Sequence, residues 1–323
     1  MVYNKGMKTE EEKKENLPEK RKKEIQYRSY LPSAFIMASL PLRDVKSSVF
    51  ERKYNGISMM ITGSPKVPYG SYGRLVLSLL TTHAVVDDRR ENGSVLISYE
   101  YEKDFLTELK APKTRGAEFR EQLDFFSSSS FIFQAKVKRR IQKSLFEDFA
   151  GEEGDFEVTM FKSGNIPFIR TLQYMRIEDE NVSPGKAGRS FTIELSSDFV
   201  QFCKDHSVPI DYTIYSKIKN ATGKDLYAWF VYRNNSLQDG EEIFIPKETL
   251  VGQFMPVKNE ANYAAQLNTN YQYLLERIEE IKEYYPELDV RKVKEGLGIR
   301  LIKSPALIKS DDRRYMLITS QIQ

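Results

Sequence analysis

Across residues 263–285 the apolar side chains Tyr263, Leu267, Tyr271, Leu274, Ile278, Ile281 and Tyr285 recur four or three positions apart. Only a helix gathers residues so spaced onto one stripe, and Pro286 stops it. The spacing predicts a long helix over residues 261–285. What surrounds it narrows the fold further. Residues 225–232 read as an aromatic-rich helix carrying the single tryptophan, Trp229. Ile243-Phe244-Ile245 reads as a strand, and Pro246 suits the first turn of a helix ending near Phe254. Beyond the long helix, residues 288–293 and 297–302 flank Gly296 as a β-hairpin.

The first half runs in a similar order. Turn chemistry at Val67-Pro68-Tyr69-Gly70-Ser71-Tyr72-Gly73 leads into residues 74–86. There Leu75, Leu79, Thr82 and Val86 keep helical spacing, while Leu77 and Leu80 widen the stripe to that of a nearly buried helix. Residues 98–110 read as a second helix, with Phe105, Leu106 and Leu109 inward. The linker through Pro112 ends it, because proline disfavours helix in the residue before it. Residues 118–126 restart helix on Phe119, Leu123 and Phe126, and Phe131-Ile132-Phe133 follows as a strand. Residues 191–195 alternate like a strand, and 198–206 and 211–218 read as short helices.

Helix, short turn, helix and then strands is the order of a helix-turn-helix with a wing. The expected fold class is therefore α+β, mainly helical, with two tandem winged-helix (helix-turn-helix) domains bearing small β wings. The expected divisions are a charged flexible tail at 1–30, domains at 31–190 and 191–310, and a C-terminal tail at 311–323.

Composition excludes much chemistry. One cysteine, Cys203, forbids an intramolecular disulfide and a cysteine-rich zinc site. The two histidines, His83 and His206, lie far apart and leave no cluster for metal or nucleophile chemistry; both are expected to be structural. No GxxxxGK[ST] occurs, and Gly70-x-x-Gly73 lacks the preceding strand of a dinucleotide site. No apolar run approaches the roughly 18 to 20 residues of a membrane span, and no secretory signal is visible. A soluble cytoplasmic protein without enzymatic activity, metal, cofactor or membrane partner is expected.

The net charge of +3 hides segregation. Residues 103–143 hold ten Lys and Arg against five acids, 144–157 hold six acids and no base, and 290–314 hold eight bases against three acids. Two basic blocks suit a polyanion such as duplex DNA. In the first, Lys113, Thr114, Arg115 and Arg120 stand near the start of a helix and fit phosphate or guanine. In the second, Arg291, Lys292 and Lys294 lie on the hairpin. Asn262, Gln266 and Thr269 share one face of the long helix, and amide side chains can pair with adenine in the major groove. Its later turns carry Glu276, Glu279, Glu280 and Glu283, which phosphates repel, so only the leading half suits a groove.

These residues also carry a resemblance. Val67-Pro68-Tyr69-Gly70 through Arg74-Leu75-x-Leu77-x-x-Leu80-x-Thr82-x-Ala84-Val85 resembles the opening signature of RepA-type plasmid replication initiators. The likeness continues at Arg115-Gly116, at Arg120-x-Gln122-Leu123 and at Phe131-x-Phe133. It returns at Asp225-Leu226-Tyr227-Ala228-Trp229 with Tyr232-Arg233, at Ile245-Pro246 with Leu250, and at Gln253-Phe254. The resemblance spans about residues 40–303. It implies a bacterial protein that binds repeated duplex sites at a plasmid origin, assists melting, and recruits the host initiator and replicative helicase. It also implies a homodimer, exchanging with the monomer, that can repress its own gene. A winged-helix transcriptional regulator without a replication role is the alternative.

Overall fold

The computed structural model describes residues 27–140, 155–176, 189–257, 260–306, 308 and 316–317. The first long helix, α2 (Gly70–Val86), opens on Gly70 at a positive φ of 71° and is buried on every side from Gly73 to Ala84. That is the consequence of its wide apolar stripe. Strand β4 (Val95–Tyr99) follows, with Val95, Ile97 and Tyr99 inward, and then helix α3 (Glu102–Glu108). The helix expected over 98–110 is thus shorter by a strand's end. Alternation through Tyr99 buries one face of a sheet, and the helix starts only where Glu102 and Asp104 can occupy its first turn. A 3-10 turn at Lys113–Arg115 leads into α4 (Gly116–Ser127), which buries Phe119, Leu123 and Phe126 as the spacing predicts. A Cβ at Gly116 would come within 2.6 Å of the Glu102 carboxylate, so glycine there lets α4 start close against α3.

Strands β8 (Ile169–Arg176) and β9 (Arg189–Leu195) complete this first unit. The strand order is β4-β9-β8, so the last strand in the chain lies between the other two. Between α4 and β8 the chain inserts β5 (Ser130–Arg140), β6 (Asp155–Lys162) and β7 (Ile166–Pro167). With β2 (Val49–Tyr54) and β3 (Ile57–Thr62) these build a separate sheet, ordered β2-β3-β5-β6 with β7 beside β5. Phe131 of β5 anchors it: its ring centroid lies 4.9 Å from Phe35, 5.0 Å from Phe168 and 5.2 Å from Phe202.

The second unit repeats the succession without an insertion. Helix α7 (Ala221–Ser236) is followed by β11 (Glu242–Pro246), α8 (Lys247–Phe254), α9 (Tyr263–Tyr284), β12 (Val290–Lys292) and β13 (Gly298–Ile302). The strand order, β11-β13-β12, again places the last strand in the middle. A further sheet joins the ends of the chain: β1 (Tyr27–Pro32) pairs antiparallel with β10 (Ser207–Asp211) and parallel with β14 (Met316–Leu317). Helices α1 (Ser33–Ala38), α5 (Ser197–His206) and α6 (Tyr212–Lys217) pack around it.

Four expectations change. The architecture is mixed α and β, with four sheets among the described residues, because the inserted strands and β1 carry much of the core. The stretch expected as a tail to residue 30 ends in β1, where Tyr30 and Leu31 are buried; the remainder of that tail lies outside the described residues. Likewise Met316–Leu317, within the expected C-terminal tail, pairs with β1. A division between 190 and 191 would cut β9 out of the sheet in which it is the central strand.

The two units share a buried junction. Arg74 of α2 faces Asp225 of α7 across 151 residues of sequence, with Nε and Nη2 each 2.6 Å from a carboxylate oxygen. Its remaining N–H groups donate to the carbonyls of Pro41 (3.0 Å), Gly70 (2.8 Å) and Leu40 (2.7 Å). All five guanidinium donors are used, which lets the charge be buried. On β2, Tyr54 donates to the Thr249 carbonyl at 2.9 Å and Arg52 to the Phe254 carbonyl at 3.1 Å. A Cβ at Gly252 would collide with the Tyr54 ring, so α8 needs glycine there.

Candidate nucleic-acid interface

Helix α9 divides into two chemical halves. Its apolar stripe, Leu267, Tyr271, Leu274, Leu275, Ile278 and Ile281, is buried. Residues 261–275 carry no charge, and every acid of the helix lies beyond them. Ala261 through Ala265, Asn268, Thr269 and Gln272 are exposed, and Gln266 is half-buried at the edge of the stripe. Asn262 is the residue before the first turn and its side chain caps nothing. The Thr269 hydroxyl donates to the Ala265 carbonyl at 3.0 Å, which fixes its rotamer and leaves its oxygen outward. Asn270 is structural, donating to the Met255 carbonyl at 2.8 Å.

The tip of the β12–β13 hairpin stands beside this half of the helix, while strand β12 lies against the acidic half, where Lys282 donates to the Val290 carbonyl at 2.7 Å. The Tyr271 hydroxyl donates to the Gly298 carbonyl at 2.8 Å, tying helix to hairpin. Lys247 makes a second tie: its backbone N–H reaches the Leu297 carbonyl at 2.9 Å and its ammonium the Asn268 side-chain oxygen at 3.0 Å. Arg291, Lys292 and Lys294 are exposed on the hairpin. Arg291 is held by two bonds to Asp289, at 2.9 and 2.6 Å, and that carboxylate raises its pKa. Arg300 pairs with Glu242. Neither Lys292 nor Lys294 makes a close ion pair among the described residues, and Lys292 lines the same groove as Glu276, Glu279, Glu280 and Glu283 of α9.

The equivalent surface of the first unit is different. Lys113, Thr114 and Arg115 are exposed on the turn before α4, but Arg115 lies 2.7 Å from Glu118 and Arg120 is paired with Glu102. The Arg115–Glu118 bond lowers the carboxyl pKa and raises that of the guanidinium. The outward positions of α4 are Ala117, Glu121 and Asp124, and Asp124 accepts from the Tyr174 hydroxyl at 2.7 Å. Among the described residues, Lys103, Lys110, Lys113, Arg115 and Arg120 of the basic block do not form one basic face. They are spread over α3, the turns after it and α4, with Lys103 over the Tyr101 ring and Lys110 over the Tyr27 ring; Lys143 lies outside the described residues.

The structure thus gathers Asn262 just before α9 with Gln266 and Thr269 on its leading half, and sets Lys294 exposed on the adjoining hairpin, with Lys292 beside the acidic half. In the first unit it leaves only Lys113 and Thr114 without a partner among the described residues. Sequence reasoning missed Asn268 and Gln272. Gln272 follows Thr269 by three positions, so the same helical projection reaches it.

The other notable polar groups are internal. His83 Nδ1 lies 2.7 Å from Asp87 and Nε2 3.2 Å from Glu108. Burial lowers the imidazole pKa, but the two carboxylates outweigh it and raise it to about 9. Lys224, buried beside Arg74 and Asp225, is lowered to about 7, chiefly by burial. Cys203 is buried, and burial pushes its thiol pKa up. Among the described residues, no group of three or more His, Cys, Asp or Glu side chains is placed to hold a metal, and no helix is long and apolar enough to cross a membrane.

No protein-family model matches the chain, and no curated protein matches it. Among solved structures it is similar to a selenomethionine derivative of domains 2 and 3 of RctB, at 11% identity and TM-score 0.48, over 84% of this chain and 98% of that one. A second crystal structure of the same RctB domains gives 11% and 0.47, over 84% and 96%. The Pi initiator protein in complex with iteron DNA gives 11% and 0.44, over 87% of this chain and 98% of that one.

Proposed function

We propose that the protein is a plasmid replication initiator built on two winged-helix units, and that it binds repeated duplex sites at an origin. The observation that carries the DNA-binding part is the second unit's surface. There an uncharged, amide-bearing half-helix lies beside the tip of a hairpin that carries exposed Lys294, which has no carboxylate partner among the described residues. An uncharged helix face can enter a major groove without repelling phosphates, and amides can pair bidentately with adenine. Lysines beside it engage the backbone and fix register. The acids from Glu276 onward would stay outside the groove. The initiator part rests on the sequence resemblance. Assistance in melting, recruitment of a host initiator and helicase, and a homodimer that represses its own gene belong to the same reading, as does a bacterial cytoplasmic setting.

In this reading the protein acts by binding alone and has no enzymatic centre. Selection from a random duplex library should yield a discrete sequence, and binding should weaken linearly with log salt at roughly −0.9 per phosphate contacted. The gene with its flanking DNA should then sustain a plasmid in a bacterial host. Supercoiled DNA carrying the selected sites should stay uncut with Mg²⁺. Specific binding without plasmid maintenance would instead support a transcriptional regulator, and reproducible nicking would overturn the non-enzymatic reading.

A further inference from the structure

Where α8 ends, two consecutive carbonyls are taken by different parts of the molecule. Asn270 of α9 donates to that of Met255 at 2.8 Å, and Arg52 of β2 donates through Nη2 to that of Phe254 at 3.1 Å. Further back on α8, Tyr54 of β2 donates to the Thr249 carbonyl at 2.9 Å, and its ring fills the space a Cβ at Gly252 would need. The Gln253 amide donates to the Met37 carbonyl of α1. Helix α9 therefore hangs on a turn that an edge strand of the inserted sheet grips.

Arg52 is a costly way to hold a turn. Its Nη1 is buried and has no hydrogen-bond partner among the described residues. Burial lowers its pKa; Asp225 opposes this, but both carboxylate oxygens of Asp225 are already taken by Arg74, a second cation that lowers it further. A half-satisfied buried cation adds little to stability, so what Arg52 supplies is the place of the carbonyl it holds. From Asn270, on the other side of that turn, the outward amides are one helical turn away: Gln266 precedes it by four residues and Gln272 follows by two. We infer that Arg52 and Tyr54 are positioning residues for base reading: strand β2 sets the pose in which the amide face of α9 meets the bases, although neither residue lies on α9 or its hairpin. The inference rests on the DNA-binding reading above. Moving the turn moves every amide of α9 together, and a bidentate pair fails when its two bonds no longer align. Lysine contacts to phosphate, made on flexible stems, tolerate the same shift.

The test is a set of double-mutant cycles in the full-length protein, on a duplex recovered from a random library and on random duplex. Arg52→Gln removes a charged donor, Arg52→Lys keeps one for the same carbonyl, and Tyr54→Phe removes a single hydroxyl. On the selected duplex Arg52→Gln should bind roughly tenfold more weakly and Tyr54→Phe about threefold, the order of one charged and one neutral hydrogen bond. Arg52→Lys should recover most of the loss, and random-duplex binding should not change. Each glutamine truncation that weakens specific binding in the wild-type background, Gln266→Ala or Gln272→Ala, should cost several-fold less beside Arg52→Gln, because the displaced amide has already lost its base. Affinities are normalised to the folded fraction, read from Trp229, whose ring stands edge-on to Phe254 at 5.5 Å. If Arg52→Gln does not fold, the cycle with Tyr54→Phe decides in its place. Equal losses on selected and random duplex, or effects of the β2 variants that simply add to those of the glutamine truncations, would overturn the inference while leaving specific binding intact. Failure of the library to yield any sequence, or of both glutamine truncations to weaken specific binding in the wild-type background, would instead overturn the reading on which it rests.

Discussion

Helices α4 and α9 occupy the same place in two units of the same strand order, yet they present opposite surfaces. The outward positions of α4 are Ala117, Glu121 and Asp124, and both nearby arginines are already neutralised by Glu118 and Glu102. Those of the leading half of α9 are Tyr263, Ala264, Ala265, Asn268, Thr269 and Gln272, with Lys294 on the adjoining hairpin, and acids (Glu276, Glu279 and Glu283) appear only on its later turns. The scaffold alone therefore does not make a reader of sequence; the side chains set on it do. In the proposed function, α9 reads bases. In the same proposal the first unit adds phosphate contacts at Lys113 and Thr114 and holds the second in place through the Arg74–Asp225 junction.

The largest expected effect tests whether the two units are one body. Asp225→Asn leaves Arg74, Lys224 and the nearby Arg52 without their shared carboxylate, and breaking a buried pair of this kind costs about 3 to 5 kcal/mol. Chemical denaturation followed by Trp229 fluorescence and by hydrogen exchange in α2 should show both units losing stability together. Loss confined to the second unit would separate them.

Next in size are opposite pH dependences. His83 has a folded pKa of about 9, above its ordinary 6.5, so it binds a proton in the folded chain that the unfolded chain releases. Its contribution, on the order of 3 kcal/mol, is complete below about pH 6.5 and is lost as pH rises through about 9. Lys224 has a folded pKa of about 7, below its ordinary 10.5, so between those values the unfolded chain binds more protons and stability rises with pH. Melting curves from pH 6 to 10 should lose the falling component in His83→Gln and the rising one in Lys224→Met. An unchanged pH profile in either variant would contradict the burial and pairing described for that group.

The sequence made α9 and its hairpin legible, because seven apolar residues at helical spacing and a terminating proline leave little choice. The acids of α4 were equally visible. What spacing could not show was pairing at a distance: Glu102 reaches Arg120 only once α3 and α4 pack, and Arg74 finds Asp225 only across the whole first unit. Strand β4 was misread in part because its end at Tyr99 adjoins an acidic helix start, so two periodicities share one short window. The β5–β6 hairpin extended well beyond Phe131-Ile132-Phe133 because its outer half alternates charged with apolar residues, a pattern that also suits a solvated segment.

A smaller effect sharpens the contrast between the helices. Glu121→Lys adds a cation at an outward position of α4 where the wild type has a carboxylate. If the first unit approaches the backbone, the variant should steepen the dependence of log affinity on log salt by roughly 0.9 and tighten binding to all sequences alike. An unchanged slope would place α4 away from the DNA.

The central claim is that α9 reads bases with its amide face. Its most direct measurement compares Gln266→Ala and Gln272→Ala on the selected duplex and on random duplex, with melting recorded for each. The account predicts a loss of roughly 1 to 3 kcal/mol on the selected site for at least one of them, with random-sequence binding, salt slope and melting unchanged. Leu267→Ala, inside the buried stripe, should instead destabilise the fold by about 2 to 5 kcal/mol and weaken both kinds of binding. Equal losses on selected and random DNA in both glutamine variants, at unchanged stability, would contradict the claim.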